Sequence, residues 1–256
     1  MEIKSYSLPK TNNVVLEIIR RNMSEGCKIL DLGAGEGYLA EKVSKLFTPN
    51  VAQQEPTVCD LFPENFKVPG IVCDRVDIND GLEYPESSFD IVYSVEVFEH
   101  IENQFQLFKE VSRILKPGGK FIFTTPNILN INSRIKYFFT GFYLLFDIMP
   151  LNWNDPQHTG GHINPTTLYY ICFQAIKNGF FIKGIHVDRL KKSGLFWSLL
   201  FWPIIRVANI VYRFRKYKKN KLILKQNDEL IKYMNNIKTL SSRTIIMELE
   251  KTMECG

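Results

Sequence analysis

The sequence lacks the features that mark secreted, disulfide-stapled or disordered proteins. Its five cysteines, an odd number, include no C-x-x-C pair, so neither a zinc ribbon nor a disulfide framework is expected. The first residues contain no apolar stretch typical of a secretory signal, and we expect a cytoplasmic protein. No internal repeat or low-complexity tract is present. With 45% hydrophobic and 23% charged residues among 256, the chain has the composition of a globular protein with a full core.

Acidic residues are missing from one segment of the chain. Residues 191–221 contain nine Lys or Arg and no Asp or Glu. The net charge of +5 is therefore local, because the remainder of the chain is net acidic. A basic surface of this kind indicates an anionic partner, either lipid or nucleic acid.

Short apolar runs alternate with amphipathic helical patterns along much of the chain. This alternation predicts a parallel sheet with helices on both faces. The predicted strands are Lys28–Leu32, Val51–Gln54, Ile71–Cys73, Phe89–Ser94, Lys120–Thr125, Phe180–Val187 and Arg243–Glu250. The predicted helices are Val14–Arg21 (capped by Asn12 or Asn13), Tyr38–Phe47, Gln104–Leu115, Thr166–Lys177 and, approximately, Leu222–Leu240.

Three glycines, Gly33, Gly35 and Gly37, lie between the first predicted strand and the helix that follows it. Glycine permits a tight turn and a close approach of backbone to ligand, and the helix N-terminus presents free N–H groups. The dinucleotide pattern G-x-G-x-x-G requires Gly or Ala where this chain has Tyr38, which disfavours a dehydrogenase. The alternative is a glycine turn that binds no ligand.

Acidic residues follow the next two predicted strands. Glu55 follows the second, where a carboxylate can accept both ribose hydroxyls of a nucleotide. Asp77 and Ile78 follow the third, where they can meet the amino group and the face of an adenine. Each acid alone is more often solvated surface, but their repeated position after successive strands indicates a nucleotide site.

Together with the turn Leu115-Lys116-Pro117-Gly118-Gly119, these motifs resemble those of the class I S-adenosylmethionine-dependent methyltransferases, in the ubiquinone-biosynthesis-like, type 11 and 12 group. The resemblance covers about residues 25–187 and the last strand. It implies an α/β fold, a Rossmann-like doubly wound seven-stranded sheet with an antiparallel last strand, with a helical insertion between strands six and seven. It also implies S-adenosyl-L-methionine as cofactor. The implied cofactor contacts are Asp31, Gly33, Gly35, Gly37, Glu55, Asp77, Ile78 and Ser94.

The candidate catalytic residues Glu96, Glu99 and His100 follow the fourth predicted strand. Methyl transfer mainly requires alignment and exclusion of water, and a hydroxyl acceptor adds the need for a base or a Lewis acid. His100 suits the role of base because an imidazole titrates near neutrality. On one helical turn the three side chains would share a face. The alternative is that Glu99 and His100 only cap and orient a helix.

This cluster also resembles the E-x-x-E-H metal site of ubiquinone-biosynthesis O-methyltransferases and of small-RNA 2′-O-methyltransferases. In the RNA enzymes a second histidine completes the site, and His162 matches it better here than His158. The resemblance therefore implies that Glu96, Glu99, His100 and His162 could hold a divalent metal. Such ligands suit several divalent ions.

Residues 195–212 are apolar except for Ser198, Pro203, Arg206 and Asn209. A central Arg and an interrupting Pro disfavour a membrane-spanning helix. A polar stripe with flanking positive charge predicts instead a helix that lies in an anionic membrane surface. The alternative is a packed helical hairpin or a dimer interface. The predicted domains are a methyltransferase domain (1–190 and 241–256, with 127–165 as lid or substrate loop) and the insertion 191–240.

The sequence thus predicts a methyltransferase, peripheral on the inner face of the membrane, that O-methylates a glycan, a lipid-linked molecule or another small molecule. Nucleic acid is a less favoured partner because the basic segment is mainly aliphatic and aromatic. The alternatives are a metal-dependent small-RNA 2′-O-methyltransferase and an inactive membrane-associated scaffold. The oligomeric state and the methylated atom stay open.

Overall fold

The computed structural model describes residues 3–47, 55–149 and 161–253. The strands are β1 (Ile29–Leu32), β2 (Thr57–Asp60), β3 (Cys73–Arg75), β4 (Phe89–Ser94), β5 (Leu115–Pro126), β6 (Phe180–Val187) and β7 (Thr244–Lys251). The α-helices are α1 (Pro9–Asn22), α2 (Tyr38–Ser44), α3 (Gln104–Ile114), α4 (Ile131–Thr140), α5 (Leu168–Lys177), α6 (Lys192–Lys219), α7 (Lys221–Met234) and α8 (Ile237–Ser241).

The strands form one seven-stranded sheet in the order β3-β2-β1-β4-β5-β7-β6. The first five strands pair in parallel, with Leu30 of β1 opposite Thr57 on one side and Val92 on the other. Strand β7 is antiparallel, and its last residue is beside the first residue of β5, where the Lys251 ammonium donates to the Leu115 carbonyl at 2.8 Å. The predicted fold, including the antiparallel last strand and the helical insertion between β6 and β7, is confirmed.

The central strands are buried because helices cover both faces of the sheet. All four residues of β1 are buried. On one side, Val15, Ile19 and Val43 of α1 and α2 pack against Ile29 and Ile91. A cluster of aromatic rings adds further apolar packing, and its members are Phe98, Phe108, Phe121, Phe123 and Phe180. This core fixes the strand ends from which the site is built.

The second strand lies later in the chain than predicted. It is Thr57–Asp60, whereas the predicted strand Val51–Gln54 lies outside the described residues. The run from Thr57 to Cys59 forms a strand because it pairs in register with β1 and buries Val58 and Cys59. Glu55 therefore precedes β2, so the prediction that it follows the second strand is wrong.

Three element boundaries also differ from the predictions. Helix α1 begins at Pro9 after Leu8, so the predicted cap Asn12 lies inside the helix, where its side chain donates to Ser5 Oγ at 2.7 Å. Strand β5 begins at Leu115 and includes the predicted Pro-Gly-Gly turn as an irregularity in the pairing with β4. The predicted polar helix ends at Met234, and α8 begins after Asn236, whose side chain accepts from Thr239 N.

Helix α6 is continuous across 28 residues with Pro203 inside it, so the predicted interruption at this proline is wrong. Within the described ranges it is the one helix whose length and apolar composition suffice to cross a membrane. Of its most apolar stretch of 18 residues, 11% is buried. Its buried residues, Gly194 and Ser198, pack on α8, and Ser241 Oγ is 3.2 Å from Ser198 Oγ.

By Cα packing the chain divides into two compact units. The first comprises Met1–Thr125, Cys172–His186 and Ile246–Gly256, and the second comprises Pro126–Ile171 and Val187–Ile245. The segments predicted as lid (127–165) and insertion (191–240) both belong to the second unit. Helix α4 lies in the first of these segments, and α6, α7 and most of α8 lie in the second. The domain boundaries predicted at residues 190 and 241 stay a prediction.

Candidate cofactor and active site

The glycine loop between β1 and α2 has a backbone that only glycine adopts without strain. Gly33, Gly35 and Gly37 have φ values of +85°, +56° and +92°. A Cβ on Gly33 would lie 2.5 Å from Val97 Cγ2, and one on Gly37 would lie 2.5 Å from Val68 Cγ2. These distances are shorter than any allowed contact, so side chains are excluded from the loop for steric as well as conformational reasons.

Asp60, at the carboxyl end of β2, is the acid beside this loop. Its Oδ2 accepts from Gly35 N at 2.8 Å, and its Oδ1 accepts from Phe62 N at 2.9 Å. Asp60 thus occupies the strand-end position that was predicted for Glu55. The sequence signal was available, since Thr57-Val58-Cys59 is a β-favouring run followed by an acid.

Asp77 and Ile78 follow β3 at the same edge of the sheet and are half-buried. Asp77 Oδ1 accepts from Asn79 N at 2.9 Å, which fixes the turn. Val76 N donates to Asp60 O at 3.0 Å and so joins the ends of β2 and β3. The glycine loop, Asp60, Asp77 and Ile78 therefore lie along one edge, as expected for the carboxyl ends of parallel strands.

Asp31 and Ser94 lie beneath the loop and are buried. The Ser94 hydroxyl donates to Leu32 O at 2.7 Å and joins the ends of β4 and β1. The Tyr93 hydroxyl donates to Asp31 Oδ2 at 2.8 Å. Burial raises the pKa of Asp31 to about 7, although the hydrogen bond from Tyr93 opposes that rise. Both side chains hold the strands that position the glycine loop.

An N-terminal segment lies against the loop and was not identified from the sequence. The ring of Tyr6 lies close to Gly35: a Cβ on this glycine would be 3.0 Å from Tyr6 Cε2. Glu36 accepts from Lys4 N at 2.8 Å and pairs with Lys67 Nζ at 2.8 Å. The hydrogen bond from Lys67 and then that from Lys4 lower the pKa of Glu36.

The candidate catalytic residues after β4 do not share one helical turn. Glu96 has a left-handed backbone, with φ +58°, and its N–H donates to Thr124 Oγ1 at 2.8 Å. The turn that follows is a short 3-10 helix, Phe98–His100, which excludes Glu96. The predicted single helical face is therefore wrong, because the chain turns sharply at Glu96 before the helix begins.

Glu99 is fully buried, whereas Glu96 and His100 are half-buried. Burial raises the pKa of Glu99 to about 8, and the negative charge of Glu96 adds to the rise. A carboxyl group in this state is mostly protonated at neutral pH unless a positive charge is close to it.

His162 belongs to the second unit, where its ring lies edge-on to Phe146 with centroids 5.4 Å apart. Burial lowers the pKa of its imidazole and so favours the neutral form, the form in which histidine binds metals. Glu99 and His100 belong to the first unit, so the metal site predicted from all these residues stays a prediction. His158 lies outside the described residues.

Comparison with known proteins gives the same class as the geometry. Residues 30–123 match the family model described as methyltransferase domain. The chain is 32% identical over 120 residues to a probable S-adenosylmethionine-dependent methyltransferase of Mycolicibacterium smegmatis, covering 43% of this chain and 44% of that protein. It is 31% identical over 112 residues to the ubiquinone biosynthesis O-methyltransferase of Maricaulis maris, covering 40% and 42%. These alignments span less than half of each relative's length.

Among solved structures, the fold matches a SAM dependent methyltransferase from Archaeoglobus fulgidus with a TM-score of 0.56 at 18% identity, covering 94% of both chains. The fold and the matched segment define a class I methyltransferase domain. Residues 30–123 thus form a domain of the S-adenosylmethionine-dependent methyltransferase type, and this part of the chain is distantly related to the ubiquinone-biosynthesis O-methyltransferases, as predicted.

Proposed function

We propose that this protein transfers a methyl group from S-adenosyl-L-methionine to an oxygen of a glycan, a lipid-linked molecule or another small molecule at the cytoplasmic face of a membrane. The observation that carries the proposal is the continuous edge formed by the glycine loop, Asp60, Asp77 and Ile78. The name of the Maricaulis relative, an O-methyltransferase, supports oxygen as the methylated atom.

The residues at this edge fit the cofactor. The three glycines leave room where side chains would fill the loop. Asp60 can accept from both ribose hydroxyls, and its position beside Gly35 brings a carboxylate to the loop. Asp77 and Ile78 suit the adenine, and Ser94 and Asp31 support the strands below. Glu55 takes no part in this proposal, because it precedes β2.

When bound, S-adenosylmethionine supplies a methyl group on a positively charged sulfur, which makes the donor reactive without further activation. The protein must align the acceptor in line with that bond and remove the proton of its hydroxyl group. We propose that His100, which follows β4 at the carboxyl edge of the sheet, accepts this proton. In such a transfer the methyl–sulfur bond would break as the carbon–oxygen bond forms, the sulfur would keep the electron pair in S-adenosylhomocysteine, and His100 would hold the proton.

A divalent cation held by Glu99 is a second way in which the acceptor could be activated. A buried carboxyl with a raised pKa is a poor base and a poor ligand alone, but a nearby cation stabilises its ionised form. Glu99 and His100 supply the oxygen and nitrogen ligands that many divalent metals accept. Glu96 and His162 are retained as further ligands on the strength of the sequence resemblance.

Helix α6 supports the membrane part of the proposal. Phe196, Leu200, Val207 and Phe214 recur at helical spacing, and each is more than half exposed. The segment 191–221 adds nine basic residues and no acid. Because α6 also packs on α4, α7 and α8 within the second unit, it suits a helix lying on a membrane surface better than one surrounded by lipid.

The cofactor site is tested by calorimetric titration with S-adenosylhomocysteine. The variant Asp60→Asn should weaken binding about 10- to 100-fold, since hydrogen bonds to a charged group contribute ~1.5–3 kcal/mol. The matched variant Glu55→Gln should bind as the wild type does. Equal weakening in both variants, or no binding by the wild type, would overturn the assignment.

The metal is tested in the same titration with and without Mg²⁺, Mn²⁺ or Zn²⁺. Binding of one ion should add heat that Glu99→Gln and His100→Ala remove and that Glu102→Gln, a nearby surface change, retains. His162→Ala reports whether the second histidine takes part. Metal heat that survives Glu99→Gln would contradict the proposed ligand.

The acceptor class is tested by incubating the protein and S-[methyl-³H]adenosylmethionine with separated cell fractions. Label in the lipid or glycan fraction supports the proposal. Label in small RNA, with binding that falls steeply as salt rises, supports the RNA methyltransferase instead. Cofactor binding without label in any fraction supports the inactive scaffold.

A further inference from the structure

Three polar residues of α6, Arg206, Asn209 and Arg213, line a cleft that α6 forms with α7 and α8. This cleft of about 710 Å³ lies between these helices, entirely within the second unit. Its walls include Trp202, Arg206, Asn209 and Arg213 from α6 and Lys232 and Lys238 from the other two helices. The exposed apolar face of α6, defined by Phe196, Leu200, Val207 and Phe214, lies on another side of the same helix.

The cleft is positively charged. No Asp or Glu is among its lining residues, and the neighbouring Asp228 is engaged by both Arg213 and Lys232. Arg206 and Lys238 have no carboxylate within ion-pair distance in the part of the chain that the structure describes. The cleft therefore holds cations for which the described residues supply no counter-charge.

Arg206 has the geometry of a phosphate ligand. Its guanidinium carbon lies 4.8 Å from the centre of the Trp202 ring, and this cation–π contact restrains the side chain. A guanidinium presents a planar fork of N–H groups that matches two phosphate oxygens. Apolar walls beside it, such as Ile205 and Ile237, suit the glycerol and upper acyl region of a lipid.

The position of the cleft fits the headgroup layer of a membrane. If the apolar face of α6 enters the acyl boundary, the Arg206 side chain, which is about 100° round the helix from Val207, lies at the depth of the phosphates. We propose that the cleft between α6, α7 and α8 binds the phosphate of an anionic membrane phospholipid, with Arg206 as the central ligand. This inference rests on the membrane contact of the proposed function and makes that contact selective for the headgroup.

A pair of charge-conserving variants separates a built site from general attraction to negative charge. Arg206→Lys keeps the charge but loses the two-pronged hydrogen bonding. Arg215→Lys makes the same change at an exposed residue of α6 that does not line this cleft. In calorimetric titration with dihexanoyl phosphatidylglycerol below its critical micelle concentration, Arg206→Lys should weaken binding about 10-fold, because the lysine cannot form both hydrogen bonds to the phosphate. Arg215→Lys should bind as the wild type does.

Further binding measurements identify the ligand and test the cleft independently of the membrane contact. Inorganic phosphate should bind far more weakly than the short-chain lipid, and equal affinity would show a free-anion site instead. Vesicles of phosphatidylcholine with phosphatidylglycerol should bind the wild type more tightly than Arg206→Lys. Failure of vesicle binding alone would contradict the membrane contact, while equal titration of wild type and Arg206→Lys with the soluble lipid would overturn the cleft.

Discussion

Replacing Asp31 by Asn should change how the stability of the protein depends on pH. Asp31 is fully buried, and burial raises its pKa to about 7 from an ordinary value of 3.8. In the unfolded chain the carboxyl ionises above about pH 4, whereas the folded protein keeps it protonated until about pH 7. Unfolding therefore releases a proton in this interval, and the free energy of unfolding falls as pH rises through it.

The size of the effect follows from the two pKa values. A difference of about 3 pKa units corresponds to roughly 4 kcal/mol, lost between about pH 4 and pH 7 and constant above. An asparagine side chain at this position has no proton to release, so Asp31→Asn should lack this fall. Its amide oxygen can still accept from Tyr93, while its new N–H donors lower stability by a pH-independent ~1–3 kcal/mol if they stay unpaired.

Urea unfolding followed by far-ultraviolet circular dichroism, repeated across this pH range, measures the difference. As pH increases, the free energy of unfolding of the wild type should fall towards that of Asp31→Asn. Asp80→Asn, an exposed change near the same sheet edge, should run parallel to the wild type. Parallel curves for Asp31→Asn would refute the conclusion that Asp31 is neutral in the folded protein.

Three further predictions concern stability. Gly33→Ala should lower the free energy of unfolding by about 1–3 kcal/mol more than Gly70→Ala does. Both glycines have φ +85°, but only at Gly33 would the new Cβ meet a neighbouring atom. Equal losses in urea unfolding would count against the close approach of Val97 to Gly33. Glu96→Gly should leave stability unchanged or raise it by up to ~1 kcal/mol, since the left-handed backbone no longer opposes a side chain, while methyl transfer should fall if the carboxylate acts at the site. Arg134→Met should destabilise the second unit by about 2–4 kcal/mol, because the guanidinium donates to Leu129 O, Met234 O and Asn235 Oδ1. Unfolding followed by tryptophan fluorescence should show this loss, while cofactor binding should not change.

The sequence by itself determined the sheet and most of the edge that we propose binds the cofactor. Alternating apolar runs, a glycine loop and strand-end acids are local patterns, because each depends on the backbone freedom or burial of a few adjacent residues. Gly33 and Asp77 lie where these patterns predicted. Pro203 was less informative, since the packing of α6 on its neighbours retains a helix that the local rule would interrupt.

Tertiary structure decided the features that depend on partners distant in the sequence. Asp60 rather than Glu55 borders the loop because pairing with β1 sets where the second strand lies, and that register is absent from the local pattern. Glu96 leaves the predicted helical face because the chain turns where its N–H meets Thr124. Asp31 and Glu99 acquire raised pKa values from burial, and Arg206 meets its cleft through the packing of α6 with α7 and α8. In each case the controlling contact joins residues that only folding brings together.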